Sequence, residues 1–292
     1  MLNIGIVNNM PPAAVRSTER QFQEILTAAA AGDMPLQVRW YRLMGVRPDH
    51  YGRLDDLWDD NLDGLIVTGA EPKADTLSEE PFWEPLTKTV DWAAQNTSST
   101  IFSCLAAHAA VLHLDGIERH PSDEKVFGLF DSVRIQDHAI VADTDPVWRV
   151  PHSRWNGLSE PDLTARGYSV LVKSEAAGVD TFVKQIDQSL FVFMQSHPEY
   201  DSTSLMREYH RDVVRFHNGL RDRYPNVPLN YFDSAVAAEL EAMRGNPEGQ
   251  DRGRELLDQV QLKNDWRSLT VQLYRNWLTY LARHSRFAAQ DA

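Results

Sequence analysis

Short apolar runs alternate with helix-like segments over the first 116 residues, and this alternation limits the folds open to the chain more than any other feature. The runs are rich in β-branched and aromatic side chains, which favour strands. The predicted strands are residues 2–9, 36–43, 62–70 and 99–105, and the predicted helices are residues 17–32, 81–96 and 106–116. Because parallel strands need crossover connections, this order predicts a doubly wound α/β fold with a mostly parallel sheet.

The middle of the chain, residues 125–195, differs because strand-like runs follow one another with little helix between them. We expect these later strands to be partly antiparallel. Residues 204–220 predict a helix, residues 244–253 predict a polar connection, and residues 265–287 predict an amphipathic helix docked on the body. The apolar stripe of that last helix consists of Trp266, Leu269, Leu273, Trp277, Leu278 and Leu281.

The length of 292 residues suits one or two domains. We expect a single functional unit, with an α/β core at residues 1–232 and a helical extension at residues 233–292 packed on it. The formal net charge of −13 disfavours a nucleic-acid partner, because phosphate binding needs clustered Lys and Arg side chains. The single cysteine among the 292 residues cannot form an internal disulfide. Since neither a signal peptide nor a membrane span is recognisable, we expect a cytoplasmic protein with no membrane partner.

The one cysteine, Cys104, stands at a predicted strand-to-helix junction in the sequence TIFSCLAAHAAVLH, residues 100–113. Such a junction exposes a side chain at the carboxyl edge of a parallel sheet, where ligands bind in these folds. The N-terminus of the following helix stabilises a thiolate, and the backbone N–H of Leu105 would face an oxyanion. From this stretch alone two interpretations stay open, a nucleophile and a buried core cysteine, since free cysteine is often buried.

A second candidate stretch is FMQSHPEYD, residues 193–201, at the end of a predicted strand. His197 and Glu199 are two residues apart, so an extended backbone places both side chains on one face. Glu199 could then hold the His197 ring in one tautomer, as the acid of a Cys–His–acid arrangement. A chance pair on the surface is the alternative, because the chain has ten histidines.

Taken together, several further stretches resemble the homoserine O-acyltransferases, which transfer succinyl or acetyl groups. They are LDGLIVTGA, STIFSCLAAHAAVLHLDGI, EKVFGLFD, VPHSRW, HPEYD followed by REYHRD, VPLNYF, and WRSLTVQLYRNWLTY. These stretches run in the family's order from about residue 60 to residue 281. The resemblance implies a class I glutamine-amidotransferase-like, flavodoxin-like fold with a Cys–His–Glu triad.

Three residues of this chain match that triad. By resemblance, Cys104 is the nucleophile that carries an acyl-thioester, His197 is the general base, and Glu199 orients it. Lys125 and Ser153 match substrate-contacting residues of the family. The resemblance also implies that Arg211 binds the amino-acid substrate. A guanidinium can bind the α-carboxylate through two hydrogen bonds.

The oxyanions of such a reaction need backbone donors, and we expect them at Leu105 and at the TGA turn formed by Gly69 and Ala70. By resemblance, the position of Lys73 influences the choice of acyl donor. Glycine there accompanies succinyl transfer and glutamate accompanies acetyl transfer. A lysine would attract the free succinyl carboxylate, so this chain is expected to favour succinyl-CoA.

Two departures from the family pattern concern other residues. The paired lysines that the family carries after its first strand are absent, and Arg16 and Arg20 are the cations that could substitute. His108 stands where the family often has glutamine. Because it lies one helical turn after Cys104, we expect it to pack behind the thiol rather than act as the base.

The resemblance implies ping-pong acyl transfer from acyl-CoA to L-homoserine in methionine biosynthesis. Acyl-CoA would be a co-substrate, with no cofactor and no metal site, and a homodimer is suggested. Three alternatives stay open: an acyltransferase for another hydroxy amino acid such as serine, a glutaminase-type amidotransferase, and a non-catalytic binding protein on the same scaffold.

Overall fold

The structure, a computed structural model, describes residues 1–245 and 249–285, with backbone alone for 249–251. Within these residues one mixed sheet has nine strands. The strands are β1 (Leu2–Val7), β2 (Leu36–Tyr41), β3 (Gly64–Val67), β4 (Ser99–Ser103), β5 (His120–Arg134), β6 (Val147–Gly157), β7 (Ser169–Ser174), β8 (Gly178–Ile186) and β9 (Ser189–Met194). Their order across the sheet is β2-β1-β3-β4-β9-β8-β7-β5-β6.

Helices cover both faces of this sheet. They are α1 (Val15–Ala30), α2 (Leu54–Leu57), α3 (Trp83–Asn96), α4 (Leu105–Asp115), α5 (Glu160–Ala165), α6 (Ser204–His217), α7 (Ser234–Ala242), α8 (Gly249–Gln259) and α9 (Arg267–His284). Short 3₁₀ turns lie at Pro12–Ala14, Leu77–Glu79 and Ala139–Val141. No helix among the described residues is both long and apolar enough to cross a membrane.

The sheet divides into a parallel half and an antiparallel half. The pairs β2–β1, β1–β3, β3–β4 and β4–β9 are parallel, with helical crossovers connecting the first four strands. The pairs β9–β8, β8–β7, β7–β5 and β5–β6 are antiparallel. The predicted α/β class, with later strands partly antiparallel, is therefore confirmed.

The two faces of β4 and β9 are both buried, which explains why these strands read as continuous apolar runs. On one face Phe102 and Phe193 stack with 5.4 Å between ring centroids, beneath α3 and α4. On the other face Ile101 and Val192 pack under α1 and α9. A third apolar cluster joins α6, α7 and α8 to β5.

The C-terminal helix α9 packs on the sheet as the sequence predicts. Trp266, Leu273, Trp277, Leu278 and Leu281 are buried, and Leu269 is partly buried. The indole Nε1–H of Trp277 also donates a 3.0 Å hydrogen bond to Ser99 Oγ in β4. The helix is thus anchored to the strand that leads to Cys104, while the boundary at residue 232 stays a prediction.

The predicted polar connection at residues 244–253 is wrong in its second part. Helix α8 begins at Gly249, and residues 246–248 lie outside the described residues. Residues 244–253 resemble a loop because their polar residues outnumber their apolar ones. Helix α8 continues beyond them, however, and its Leu257 is buried in the third cluster. Tertiary packing of a few apolar side chains overrides the weak local pattern.

Gly64 in β3 faces α9 with no room for a methyl group, since a Cβ would lie 2.5 Å from Leu281 Cδ1 and 2.7 Å from Trp277 Cζ2. We expect Gly64→Ala to lower the free energy of unfolding by about 1–3 kcal/mol through overpacking. Gly253→Ala is the matched control, because the nearest atom to a Cβ added there would be Met243 Sδ, at 3.6 Å. Urea denaturation measures the free energy of unfolding of wild type and of both variants. A Gly64→Ala variant as stable as wild type would contradict this packing.

Candidate active site

Three neighbouring parallel strands end at one edge of the sheet and bring the candidate residues together. Val67 of β3 pairs with Phe102 of β4, and Ser103 of β4 pairs with Met194 of β9. The residues that directly follow these strands therefore meet at the carboxyl edge, where open α/β sheets bind ligands. Gly69, Cys104 and His197 all line one cavity there, of about 200 Å³.

Cys104 occupies a sharp turn between β4 and α4. Its backbone has φ 49° and ψ −111°, a conformation that is strained for a residue with a side chain. Its N–H donates a 2.7 Å hydrogen bond to the carbonyl of Met194, which fixes the turn against β9. The free thiol is partly exposed, so this turn presents it to the cavity at the N-terminus of α4.

His197 and Glu199 form a buried pair beside the thiol. The ring Nδ1–H of His197 donates to Glu199 Oε1 at 2.8 Å, which leaves Nε2 free of that contact. Burial alone would lower the pKa of His197, but the negative charges of Cys104 and Glu199 raise that pKa well above its usual value. These two neighbouring groups therefore favour the protonated ring of His197.

Contacts from other elements hold the acid and the base in place. Ser103, the residue before the cysteine, donates its hydroxyl to Glu199 Oε1 at 3.2 Å. The ring of Tyr200 stacks on His197 with 4.3 Å between centroids. From α9, Thr270 Oγ1 donates to the carbonyl of Pro198 at 2.7 Å. The docked helix thus fixes the backbone that carries the His–Glu pair.

The backbone around the thiol has the geometry needed for oxyanion donors. Leu105 is the first residue of α4, so its N–H has no acceptor within the helix. A Cβ added to Gly69 would lie 3.1 Å from that nitrogen, which shows how closely the backbone at Gly69 approaches the turn. Ala70 also lines the cavity. The donor role of these three residues stays a prediction.

The three residues expected to contact substrate also line this cavity. Lys125 comes from β5 and Ser153 from β6, while Arg211 comes from α6. Glu208, which sequence analysis missed, joins them: Ser153 Oγ donates to its carboxylate at 2.5 Å and Lys125 Nζ lies 3.4 Å away. Tyr200 OH donates to the other carboxylate oxygen at 2.6 Å.

Glu208 is an ionised carboxylate in the wall of the cavity. Burial would raise its pKa, but Lys125 and the hydrogen bonds from Ser153 and Tyr200 outweigh burial and lower the pKa. The spacing of Glu208 and Arg211, three residues apart on one helix face, is the signal that could have identified it from sequence. This cluster offers both charges that an amino-acid zwitterion needs.

Other candidates lie away from the cavity lining. Lys73 is exposed, and its backbone N–H donates to Glu80 Oε1 at 2.5 Å. Arg16 is exposed, and Arg20 pairs with Asp201 at 2.7 Å. No cluster of three or more His, Cys, Asp or Glu residues suited to a metal ion occurs within the described residues.

His108 is buried, lines the same cavity as Cys104 and differs chemically from His197. Its Nε2–H donates to Gln195 Oε1 at 2.8 Å, and the same oxygen accepts from the backbone N–H of Leu158. Burial lowers the pKa of His108 to about 3, so the ring is neutral near pH 7. That it packs behind Cys104 stays a prediction.

Sequence comparisons place the chain near a set of acyltransferases. A family model described as homoserine O-succinyltransferase matches residues 1–286. The chain is similar to a homoserine O-succinyltransferase from Rhodopseudomonas palustris, with 48% identity over 85% of this chain and 77% of the relative. It is also similar to one from Bradyrhizobium japonicum, with 41% identity over 96% of this chain and 90% of the relative.

Solved structures with a similar fold include glutamine amidotransferases. One from Methylobacillus flagellatus has a TM-score of 0.55 and 16% identity over 96% of this chain and 94% of its own. One from Thermotoga maritima has a TM-score of 0.53 and 12% identity over 92% and 98%. At such identities the likeness shows the fold alone, which is the expected class I amidotransferase-like fold.

Because the folded protein holds His108 neutral with a pKa of about 3, acid should destabilise the fold through this residue. The unfolded chain binds a proton near pH 6.5, so this contribution to stability is present above that pH and is lost as the pH falls towards 3. We expect the wild-type free energy of unfolding to fall more steeply than that of His108→Gln, by about 1.4 kcal/mol per pH unit. Urea denaturation between pH 4 and pH 7 measures how the free energy of unfolding of each protein changes with pH. The buried His152 is present in both proteins, so its effect cancels. Parallel slopes would contradict a neutral buried His108.

Proposed function

The chain belongs to the homoserine O-succinyltransferase family, and from this we propose that it transfers a succinyl group from succinyl-CoA to the hydroxyl group of L-homoserine. The observation that carries the proposal is the strained turn at Cys104, with its thiol beside the hydrogen-bonded pair of His197 and Glu199. The reaction is a step of methionine biosynthesis, and its substrates are small molecules.

In the first half-reaction the Cys104 thiolate attacks the thioester carbonyl of the acyl-CoA. The oxyanion that forms lies by the N–H of Leu105 and the backbone at Gly69 and Ala70, where removing one donor typically costs about 10²–10³ in rate. The attack forms the carbon–sulfur bond to Cys104, and collapse of the tetrahedral intermediate breaks the bond to the coenzyme A sulfur. The departing thiolate takes the proton of the His197 imidazolium.

In the second half-reaction the neutral ring of His197 takes the proton of the homoserine hydroxyl, whose oxygen attacks the acyl-thioester. The Cys104 thiolate leaves and the ester is released. The His197 imidazolium and the thiolate are then restored together. Glu199 holds the ring through Nδ1 in both steps, so Nε2 is the nitrogen that exchanges the proton.

The acceptor amino acid is recognised by the charged cluster above the thiol. Arg211 has a guanidinium suited to the α-carboxylate, and the ionised Glu208 suits the α-ammonium. These groups and Lys125 pair with one another, since Lys125 Nζ lies 3.4 Å and the Arg211 guanidinium 3.9 Å from the Glu208 carboxylate. Substrate replaces part of this pairing, so the charges are held in place before it binds.

Two alternative enzymes share the triad. A serine acyltransferase differs by one methylene in its acceptor, a difference that a pocket discriminates by only about 1–3 kcal/mol. A glutaminase is disfavoured because the amidotransferases resemble the chain in fold alone, whereas the matching family covers residues 1–286. A cytoplasmic location, acyl-CoA as co-substrate without cofactor or metal, and a homodimer stay predictions.

Steady-state transfer from succinyl-CoA to L-homoserine, with L-serine and L-glutamine as competing substrates, tests this proposal. We expect L-homoserine to be used best and His197→Ala to lower kcat by about 10²–10⁴, the usual contribution of a general base. His108→Gln should keep most of the activity, because a glutamine preserves a donor towards Gln195 and the ring of His108 is uncharged near pH 7.

Two results would contradict the proposal. A protein that hydrolyses L-glutamine and leaves homoserine unmodified has the amidotransferase activity. A loss of transfer in His108→Gln with normal transfer in His197→Ala would mean that the base is the other histidine. Thermal unfolding of both variants distinguishes a lost base from a lost fold.

A further inference from the structure

The cavity at Cys104 has an excess of positive charge although the whole chain carries −13. Among the described residues that line it, six are Lys or Arg and three are Asp or Glu. The cations are Arg119, Lys125, Arg154, Arg211, Arg215 and Arg221. A cavity with this lining is suited to substrates that carry more than one negative group.

Most of these cations are already paired. Lys125, Arg211, Arg215 and Arg221 all form ion pairs with Asp212. The guanidinium of Arg154 donates to backbone carbonyls, including that of Asn156 at 2.8 Å. These five side chains are therefore held by the protein before any substrate arrives.

Arg119 is different, because its guanidinium makes no hydrogen bond or ion pair with any residue that the structure describes. It is half-buried, in the connection between α4 and β5, so it has lost part of its hydration without gaining a partner. Burial accordingly lowers its pKa. A partly buried guanidinium without a protein partner is suited to a ligand that supplies hydrogen-bond acceptors.

Arg119 interacts electrostatically with charges other than those of the acceptor cluster, although both line the same cavity. Glu80, Cys104 and Glu118 act on Arg119. By contrast, Asp212, Glu208 and Glu71 act on Arg211. Arg119 also acts on the buried ring of His108.

The proposed reaction has two carboxylates to bind. One is the α-carboxylate of the acceptor, and the other is the free carboxylate of the succinyl group, which stays on Cys104 between the two half-reactions. The acceptor cluster provides for the first. The second is separated from the thioester carbonyl by two methylene groups and needs a cation close to Cys104.

We propose that Arg119 binds the free carboxylate of the succinyl group and thereby selects succinyl over uncharged acyl donors. The inference rests on the proposed function. A guanidinium offers a carboxylate two parallel hydrogen bonds, which a lysine cannot match. Lys73, the donor-selecting candidate from sequence, is exposed and absent from the cavity lining, whereas Arg119 lines the cavity with Cys104.

The phosphates of coenzyme A are a second source of negative charge that Arg119 could contact. Succinyl-CoA and butyryl-CoA separate the two sources, because both carry the same coenzyme and acyl chains of equal length. Only the succinyl chain ends in a carboxylate. The rate of Cys104 acylation by each donor, followed by mass spectrometry of the intact protein, reports on the first half-reaction alone.

We expect Arg119→Gln to slow acylation by succinyl-CoA on the order of 10- to 100-fold, the usual effect of losing a charge-assisted hydrogen bond. Acylation by butyryl-CoA should stay within about twofold or rise, which also shows that the variant is folded. Arg119→Lys should fall between wild type and Arg119→Gln. Arg166→Gln, at an exposed arginine outside the cavity lining, is the matched control and should leave both rates unchanged.

Three outcomes would overturn the inference. Equal losses with both donors in Arg119→Gln mean that Arg119 binds the coenzyme or supports the fold. Unchanged rates with both donors mean that it binds neither. If the ratio of the acylation rates with succinyl-CoA and butyryl-CoA changes in Lys73→Gln and not in Arg119→Gln, then Lys73 selects the donor. A wild-type protein acylated by neither donor would instead contradict the proposed function itself.

Discussion

The parallel pairing of β4 with β9 is the constraint on which the rest of the site depends. Its register sets Ser103 opposite Met194, so both strands end at the same level of the sheet. The residues that follow, Cys104 on one side and His197 on the other, are then neighbours although they are far apart in sequence. The hydrogen bond from the Cys104 N–H to the carbonyl of Met194 extends the same pairing by one residue.

This pairing also explains how a strained residue is tolerated next to a buried ion pair. The left-handed conformation of Cys104 typically costs about 1–3 kcal/mol, and surrounding structure must compensate for it. Strands buried on both faces and the docked helix α9 supply that support. Thr270 of α9 contacts the backbone at Pro198, so the extension and the chemical site are mechanically connected.

The sequence predicts those parts of the site that lie close together along the chain. Cys104 is visible because a strand meets a helix there, and the spacing of His197 and Glu199 follows from a strand period of two. Arg119 is not visible in this way, and the only sequence signal for Glu208 is its three-residue spacing from Arg211. Their roles depend on side chains from β5, β6 and α6, and on a guanidinium left without a partner, which only the folded arrangement reveals.

The same limit applies to secondary structure. Helix α9 is predictable because six apolar residues share one stripe, whereas α8 contributes few apolar side chains and reads as a connection. Its formation depends on a cluster shared with α6 and α7. Local patterns therefore predict the elements that contribute most to the core, and packing decides the remaining ones.

Passage of the acyl group through Cys104 is tested most directly by intact-mass spectrometry with peptide mapping. Wild-type protein is mixed with succinyl-CoA alone, and L-homoserine is added afterwards. We expect one succinyl group per chain, attached to Cys104 and discharged to L-homoserine on its addition. Transfer to L-homoserine by a Cys104→Ser variant at the wild-type rate, or a succinyl group on another residue that is discharged at the turnover rate, would contradict it.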